Sequence, residues 1–139
     1  MLVCGASGDG DHAYCGELMA LDARNRGLAG LVVDGAVRDA AALASFGWPV
    51  FHRGLAPAQC AKTSVGSVGE PVELSGVLVV PGDVVVADRD GVLVVARAEW
   101  PNVEARALAL EADEDEIRAA LARGARLGDL LGLDLEPGS

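Results

Sequence analysis

The pattern of the chain changes once, at Pro57, and that change restricts its fold more than any other feature. Upstream, apolar runs alternate with segments of helical period, which is how βα units read. Downstream, short valine-rich runs recur at close intervals between glycine- and aspartate-bearing turns, which is how hairpins read. Both patterns in one chain give an α/β domain with a mixed sheet or two stacked sheets.

Met1 to Cys4 reads as a short apolar strand already under way at the first residue, followed by a loop over Gly5 to Asp11. Ala13 to about Asn25 reads as a helix with Gly27 as its left-handed cap. Leu28 to Val33 is a buried strand, Arg38 to Phe46 a short helix stopped by Gly47, and Trp48 to His52 extended chain whose Pro49 suits an edge. Val72 to Leu74, Val77 to Val80, Val84 to Ala87 and Val92 to Ala96 then read as a β-meander. Its turns fall at Pro81-Gly82-Asp83 and Arg89-Asp90-Gly91. Pro101 suits the first turn of a helix running to about Arg123, with Ala105, Leu108, Ala112 and Ile117 among its apolar positions and Gly124 as its stop. The apolar piece from Leu127 packs on a neighbour or frays. No internal repeat is present, and the 139 residues read as one domain.

The core must be built from Val, Leu and Ala, because only 4% of the residues are aromatic while 51% are hydrophobic. A mean hydropathy of +0.32 separates the chain from disordered acidic tails. No apolar run reaches the roughly 18 residues of a membrane span, and no charged-then-apolar leader opens the sequence, so the expectation is a cytoplasmic protein. Eleven bases face twenty-one acids, a net charge of −10, which argues against a nucleic-acid partner. An anionic metabolite remains compatible, since a cation and one arginine reverse the field locally. Cys4, Cys15 and Cys60 are an odd set without a CxxC pair, which argues against a disulfide framework or a zinc ribbon.

Three local patterns invite chemistry and do not support it. Gly8-Asp9-Gly10-Asp11-His12-Ala13 matches G-x-G-x-x-A, with Asp34 as a conceivable ribose-binding acid. Two aspartates in that loop would repel a pyrophosphate, and two βα units are too few for a dinucleotide fold. His12 and Cys15 lack a second pair to complete four ligands, and His52 and Cys60 stand isolated. Asp88-Arg89-Asp90-Gly91 has its glycine too early for a calcium loop and reads as a hairpin turn.

One constellation survives. Glu17 opens Glu17-Leu18-Met19-Ala20, and twenty residues separate it from Arg38-Asp39. On spacing alone, Glu17 could be a first-turn helix acid and Arg38-Asp39 an ion pair at a helix start, where the macrodipole favours Asp. The neighbours favour a site: Leu31 to Val37 delivers Arg38 from a strand through a glycine-bearing turn, where α/β sheets gather ligands.

The stretch GELMALDARNRGLAGLVVDGAVRD, with PVFHRG and PVELSGVLVVPGDVVVADRDGVLVVA after it, resembles the metal-dependent 4-hydroxy-4-methyl-2-oxoglutarate aldolases and their RraA-like relatives. That family carries an acid-X20-Arg-Asp motif, and the likeness spans about Leu2 to Leu133. It implies a swivelling α/β/β/α fold and a lyase that releases pyruvate from 4-hydroxy-2-oxo dicarboxylates and decarboxylates oxaloacetate. It also implies a Mg²⁺ or Mn²⁺ ion held directly by Asp39 and through water by Glu17. Arg38 would stabilise the enolate oxygen, the backbone amides of Leu18 and Met19 would hold the pyruvyl carboxylate, and Glu17 would relay a proton. The only lysine, Lys62, lies in a polar loop, which leaves little room for a Schiff-base route.

Two departures stand out: the first acid is Glu17 where the family often has Asp, and the family's usual N-terminal segment is expected to be missing. An upstream loss would leave a sheet edge at Leu2 to Cys4 or a partner chain covering it. The resemblance further implies a homotrimer or hexamer with sites between subunits. Its alternative reading is a non-catalytic regulator that binds a protein such as ribonuclease E.

Overall fold

The computed structural model describes residues 1–6, 10–61 and 66–133. Gly8 and Asp9 of the glycine-rich pattern, and Lys62, lie outside the described residues. Two compact units form, Met1–Arg97 and Ala98–Ser139.

The first unit is organised around one strand. β3 (Leu31–Val37) is buried at every position except Asp34, as expected of a strand with parallel neighbours and both faces covered. β4 (Val50–Leu55) pairs with it in parallel from Leu31↔Val50 to Val37↔Leu55. Along its other edge run, in succession, β1 (Leu2–Cys4), with Leu2↔Leu31, and β2 (Ala13–Cys15), with Ala13↔Ala36. Among the described residues β1 has no ladder partner except β3, so Leu2–Cys4 forms an edge. The chain beyond β4 returns to β2: Ala13 N donates to Ala58 O at 2.7 Å and Cys60 N to Ala13 O at 3.2 Å.

α1 (Glu17–Asn25) and α2 (Ala40–Ser45) cover one face of β3, where Val33 and Val37 pack with Cys15, Ala20, Leu43 and Trp48. The opposite face meets two hairpins, β5 (Val72–Leu74) with β6 (Val77–Val79) and β7 (Val84–Ala87) with β8 (Val92–Val95). Val32 packs there with Leu74 and Val79. The layers are therefore helices, central sheet, hairpins. The second unit holds α3 (Trp100–Ala122), with Pro101 in its first turn, and α4 (Leu127–Leu130). No helix among the described residues is long and apolar enough to cross a membrane.

Several sequence expectations need correction. Residues 13–15 are strand, and the helix starts only at Glu17. Ala favours helix and Tyr favours strand, so local preference conflicts, and pairing with residues 36–37 and 59 decides the matter. The central strand continues to Val37 through Asp34-Gly35, so no turn precedes Arg38. Gly35 serves close packing there: a Cβ would stand 2.8 Å from Tyr14 Cδ2 and 2.9 Å from Ala6 Cβ. The expected meander is two separate hairpins, since no ladder joins β6 to β7 among the described residues. Between β5 and β6, Ser75 (φ 51°) and Gly76 (φ 83°) both take positive φ, as a type I′ turn requires.

Candidate functional site

Arg38 and Asp39 stand between β3 and α2, outside the helix that the sequence suggested for them. The Arg38 N–H donates to Cys15 O at 2.9 Å, locking the end of β3 to the end of β2. Gly16 follows as the N-cap of α1, and Asp39 is the N-cap of α2. Two helix starts are thereby brought to one end of the parallel sheet, the usual place for ligands in such folds.

Asp39 holds a left-handed backbone, φ 61° and ψ 38°, a conformation Asp tolerates better than most residues. Its Oδ2 accepts the Glu17 N–H at 3.1 Å, across 22 sequence positions. The Arg38 Nε lies 3.5 Å from the same oxygen. The fold therefore brings Glu17, Arg38 and Asp39 together. The Arg38 and Asp39 side chains are each 40% exposed, so their pairing contributes little to stability and remains open to a ligand.

Leu18 and Met19 occupy the next two helix positions and are 77% and 54% exposed, while Ala20 is fully buried. The first amides of a helix have no partner within it. Ala20 N already bonds to Gly16 O, and Glu17 N bonds to Asp39. What Leu18 and Met19 offer at this point is backbone N–H.

No group of three or more His, Cys, Asp and Glu able to hold a metal occurs among the described residues. Asp39, with Glu17 at the adjoining helix start, would offer oxygen ligands to a hard cation that keeps most of its waters. Arg38 and the helix starts suit a carboxylate-bearing substrate beside it. His52 is exposed on β4 and joins no such cluster, and Asp88-Arg89-Asp90-Gly91 is a hairpin turn closed by Asp88 Oδ1 on Asp90 N at 2.8 Å.

A cleft of about 840 Å³ lies elsewhere, between the β3–β4 face and the hairpins, lined by Val32, Phe51, Leu74, Val92, Asp34 and Arg53 among others. Glu17, Arg38 and Asp39 do not line it. Asp34, conceivable as a ribose-binding acid, is instead held by Ser75, whose N–H donates at 2.7 Å and whose hydroxyl donates at 3.2 Å, and by an ion pair with Arg53. Its charge is already answered, and it fastens the β5–β6 turn to β3. Arg38, Asp39 and the Glu17 amide meet outside this cleft, at the end of β3, which is the candidate site.

Cys15, immediately before this site, is buried, Cys4 and Cys60 are half-buried, and all three are free thiols. Burial pushes the Cys15 thiol above its ordinary pKa, with the neighbouring Cys4 adding to the shift; burial alone does the same for Cys4. The folded state thus holds these protons more tightly than the unfolded one. The associated stability is full below the ordinary thiol pKa and is lost as pH rises through the raised value. At pH 8, iodoacetamide should label Cys15 at least roughly tenfold more slowly in the native chain than in urea, because the thiolate reacts. Equal rates by peptide mass spectrometry would contradict the buried thiol.

The fold and site together describe an α/β/β domain with an acid and an Arg-Asp pair at the carboxyl end of its parallel strands. The chain belongs to the RraA-like family, whose model, described as Aldolase/RraA, matches residues 1–94. It is 36% identical over 121 residues to a Halalkalibacterium halodurans protein named "Putative 4-hydroxy-4-methyl-2-oxoglutarate aldolase", covering 87% of this chain and 58% of that one. An uncharacterized protein from Pseudomonas syringae pv. tomato matches in structure with a TM-score of 0.84 and 32% identity, over 92% of this chain and 61% of that one. Streptomyces coelicolor RraAS2, an unusual member of the RNase ES inhibitor RraA family, matches with a TM-score of 0.73 and 32% identity, over 84% and 61%. The chain thus spans about three-fifths of the length of these relatives.

Proposed function

We propose that the chain is a divalent-metal-dependent lyase that cleaves 4-hydroxy-2-oxo dicarboxylates to pyruvate and also decarboxylates oxaloacetate. The observation that carries this reading is the Asp39 carboxylate seated on the Glu17 amide with Arg38 beside it. Both reactions generate a pyruvate enolate, so negative charge grows on the 2-keto oxygen. Asp39 directly, and Glu17 through water, would hold Mg²⁺ or Mn²⁺, which would supply a Lewis acid for that oxygen. Arg38 adds a fixed positive charge for the developing enolate. The Leu18 and Met19 amides receive the substrate carboxylate at the positive end of α1. Glu17, exposed at the helix start, exchanges a proton with the substrate through water. The aldolase name of the H. halodurans relative supports the substrate class, and a homotrimer or pair of trimers remains part of the proposal.

The test is pyruvate release from oxaloacetate and from 4-hydroxy-4-methyl-2-oxoglutarate, with and without EDTA. Lys62→Ala should keep nearly full turnover, and a borohydride-trapped adduct on Lys62 would overturn the metal route. Arg38→Lys should lose more than roughly tenfold in kcat, because an ammonium cannot reproduce the planar fork. Likeness to RraAS2 favours a second reading, a non-catalytic regulator that binds a ribonuclease E-type partner. EDTA-insensitive binding of such a partner, with no pyruvate from either substrate, would select it.

A further inference from the structure

We infer that Gly16 is a positioning residue of this site: the missing side chain at 16 is what seats the Asp39 carboxylate on the first amide of α1 with Arg38 alongside. The backbone of Gly16, φ −142° and ψ −170°, is extended and open to any residue, so conformational freedom does not explain the glycine. Space does. A Cβ at this position would stand 2.6 Å from Asp39 Oδ2, 2.9 Å from Arg38 Cγ and 3.0 Å from Arg38 Nε.

The identity of those neighbours distinguishes Gly16 from other tightly packed glycines. A Cβ at Gly5 would meet Val72 Cγ2 at 2.7 Å and the Glu73 carbonyl at 3.0 Å, and one at Gly30 Met1 Cε at 2.9 Å and the Pro49 carbonyl at 3.0 Å; in both a main-chain atom also stands in the way. At Gly16 all three nearest atoms belong to the side chains of the two site residues. Those side chains can turn away into solvent, since each is 40% exposed. A methyl group at 16 is therefore relieved by moving Asp39 and Arg38, while the sheet and helix stay. The Asp39 oxygen leaves the Glu17 N–H, and Arg38 loses its place beside it.

This placement stands on geometry; only its effect on turnover rests on the lyase reading. The experiment compares the full chain with its Gly16→Ala, Asp39→Ala and doubly substituted forms, using amide hydrogen exchange by NMR. In Gly16→Ala the Glu17 amide should exchange at least tenfold faster, matching Asp39→Ala. The Ala20 amide, bonded to Gly16 O at 3.1 Å, should keep its protection. The double substitution should add nothing further at Glu17, as two changes acting on one contact are not additive. Mn²⁺ affinity by calorimetry and oxaloacetate turnover should each fall at least tenfold in Gly16→Ala. Unchanged Glu17 exchange in Gly16→Ala would overturn the inference. Loss of Ala20 protection or of cooperative unfolding would overturn it too, by making the glycine a structural requirement of the helix start. A parent chain that neither binds Mn²⁺ nor yields pyruvate would refute the lyase reading, while Glu17 exchange would still decide the role of Gly16.

Discussion

Asp39→Ala should abolish Mn²⁺ binding and reduce pyruvate formation from oxaloacetate by at least roughly 100-fold, the scale of losing one transition-state electrostatic group. The substitution removes the carboxylate that joins the α1 start to the Arg38 side chain. It also leaves alanine in a left-handed backbone, which costs about 1–2 kcal/mol, so a modest fall in melting temperature is expected. Asp39→Asn separates the two effects. Asparagine tolerates that backbone and keeps an oxygen for the Glu17 amide, but it carries no charge for a cation. It should therefore fold as stably as the parent and still lose most turnover. Calorimetry that finds unchanged Mn²⁺ affinity in Asp39→Ala would refute the ligand assignment.

Trp48→Ala should produce the largest loss of stability from a single change in the first unit, about 3–5 kcal/mol. Trp48 is 8% exposed and belongs to the cluster under α1 and α2 with Leu43, Val33 and Val37. Its indole Nε1 donates to Leu28 O at 2.6 Å, tying the start of β4 to the segment before β3. Trp48→Phe keeps most of the apolar volume but leaves that carbonyl without its donor, and should cost about 1–3 kcal/mol. Urea unfolding at constant m-value checks both. A cost below about 1 kcal/mol for Trp48→Ala would show that this cluster is not the centre of the unit's stability.

The sequence by itself determined what depends on a few neighbouring residues. Val72–Leu74 and Val84–Ala87 are strands with the expected bounds, because valine-rich runs between turn residues state their period locally. Gly27, Gly47 and Gly124 end helices with φ of 81°, 60° and 92°, a demand that glycine meets at no steric cost. The acid and the Arg-Asp pair were legible as a motif, and so was the family. Tertiary structure alone decided that residues 13–15 are strand, that Asp34-Gly35 continue β3, and that the second half forms two hairpins. It also decided how the residues of the motif meet. Nothing near residue 39 announces a bond to the amide of residue 17, and nothing near residue 16 announces that a methyl there would collide with Arg38 and Asp39. Local sequence fixes dihedral preference and periodicity. Strand pairing, close packing and the meeting of charges are set by residues that lie far apart in the chain and come together only when β2 and β3 lie side by side.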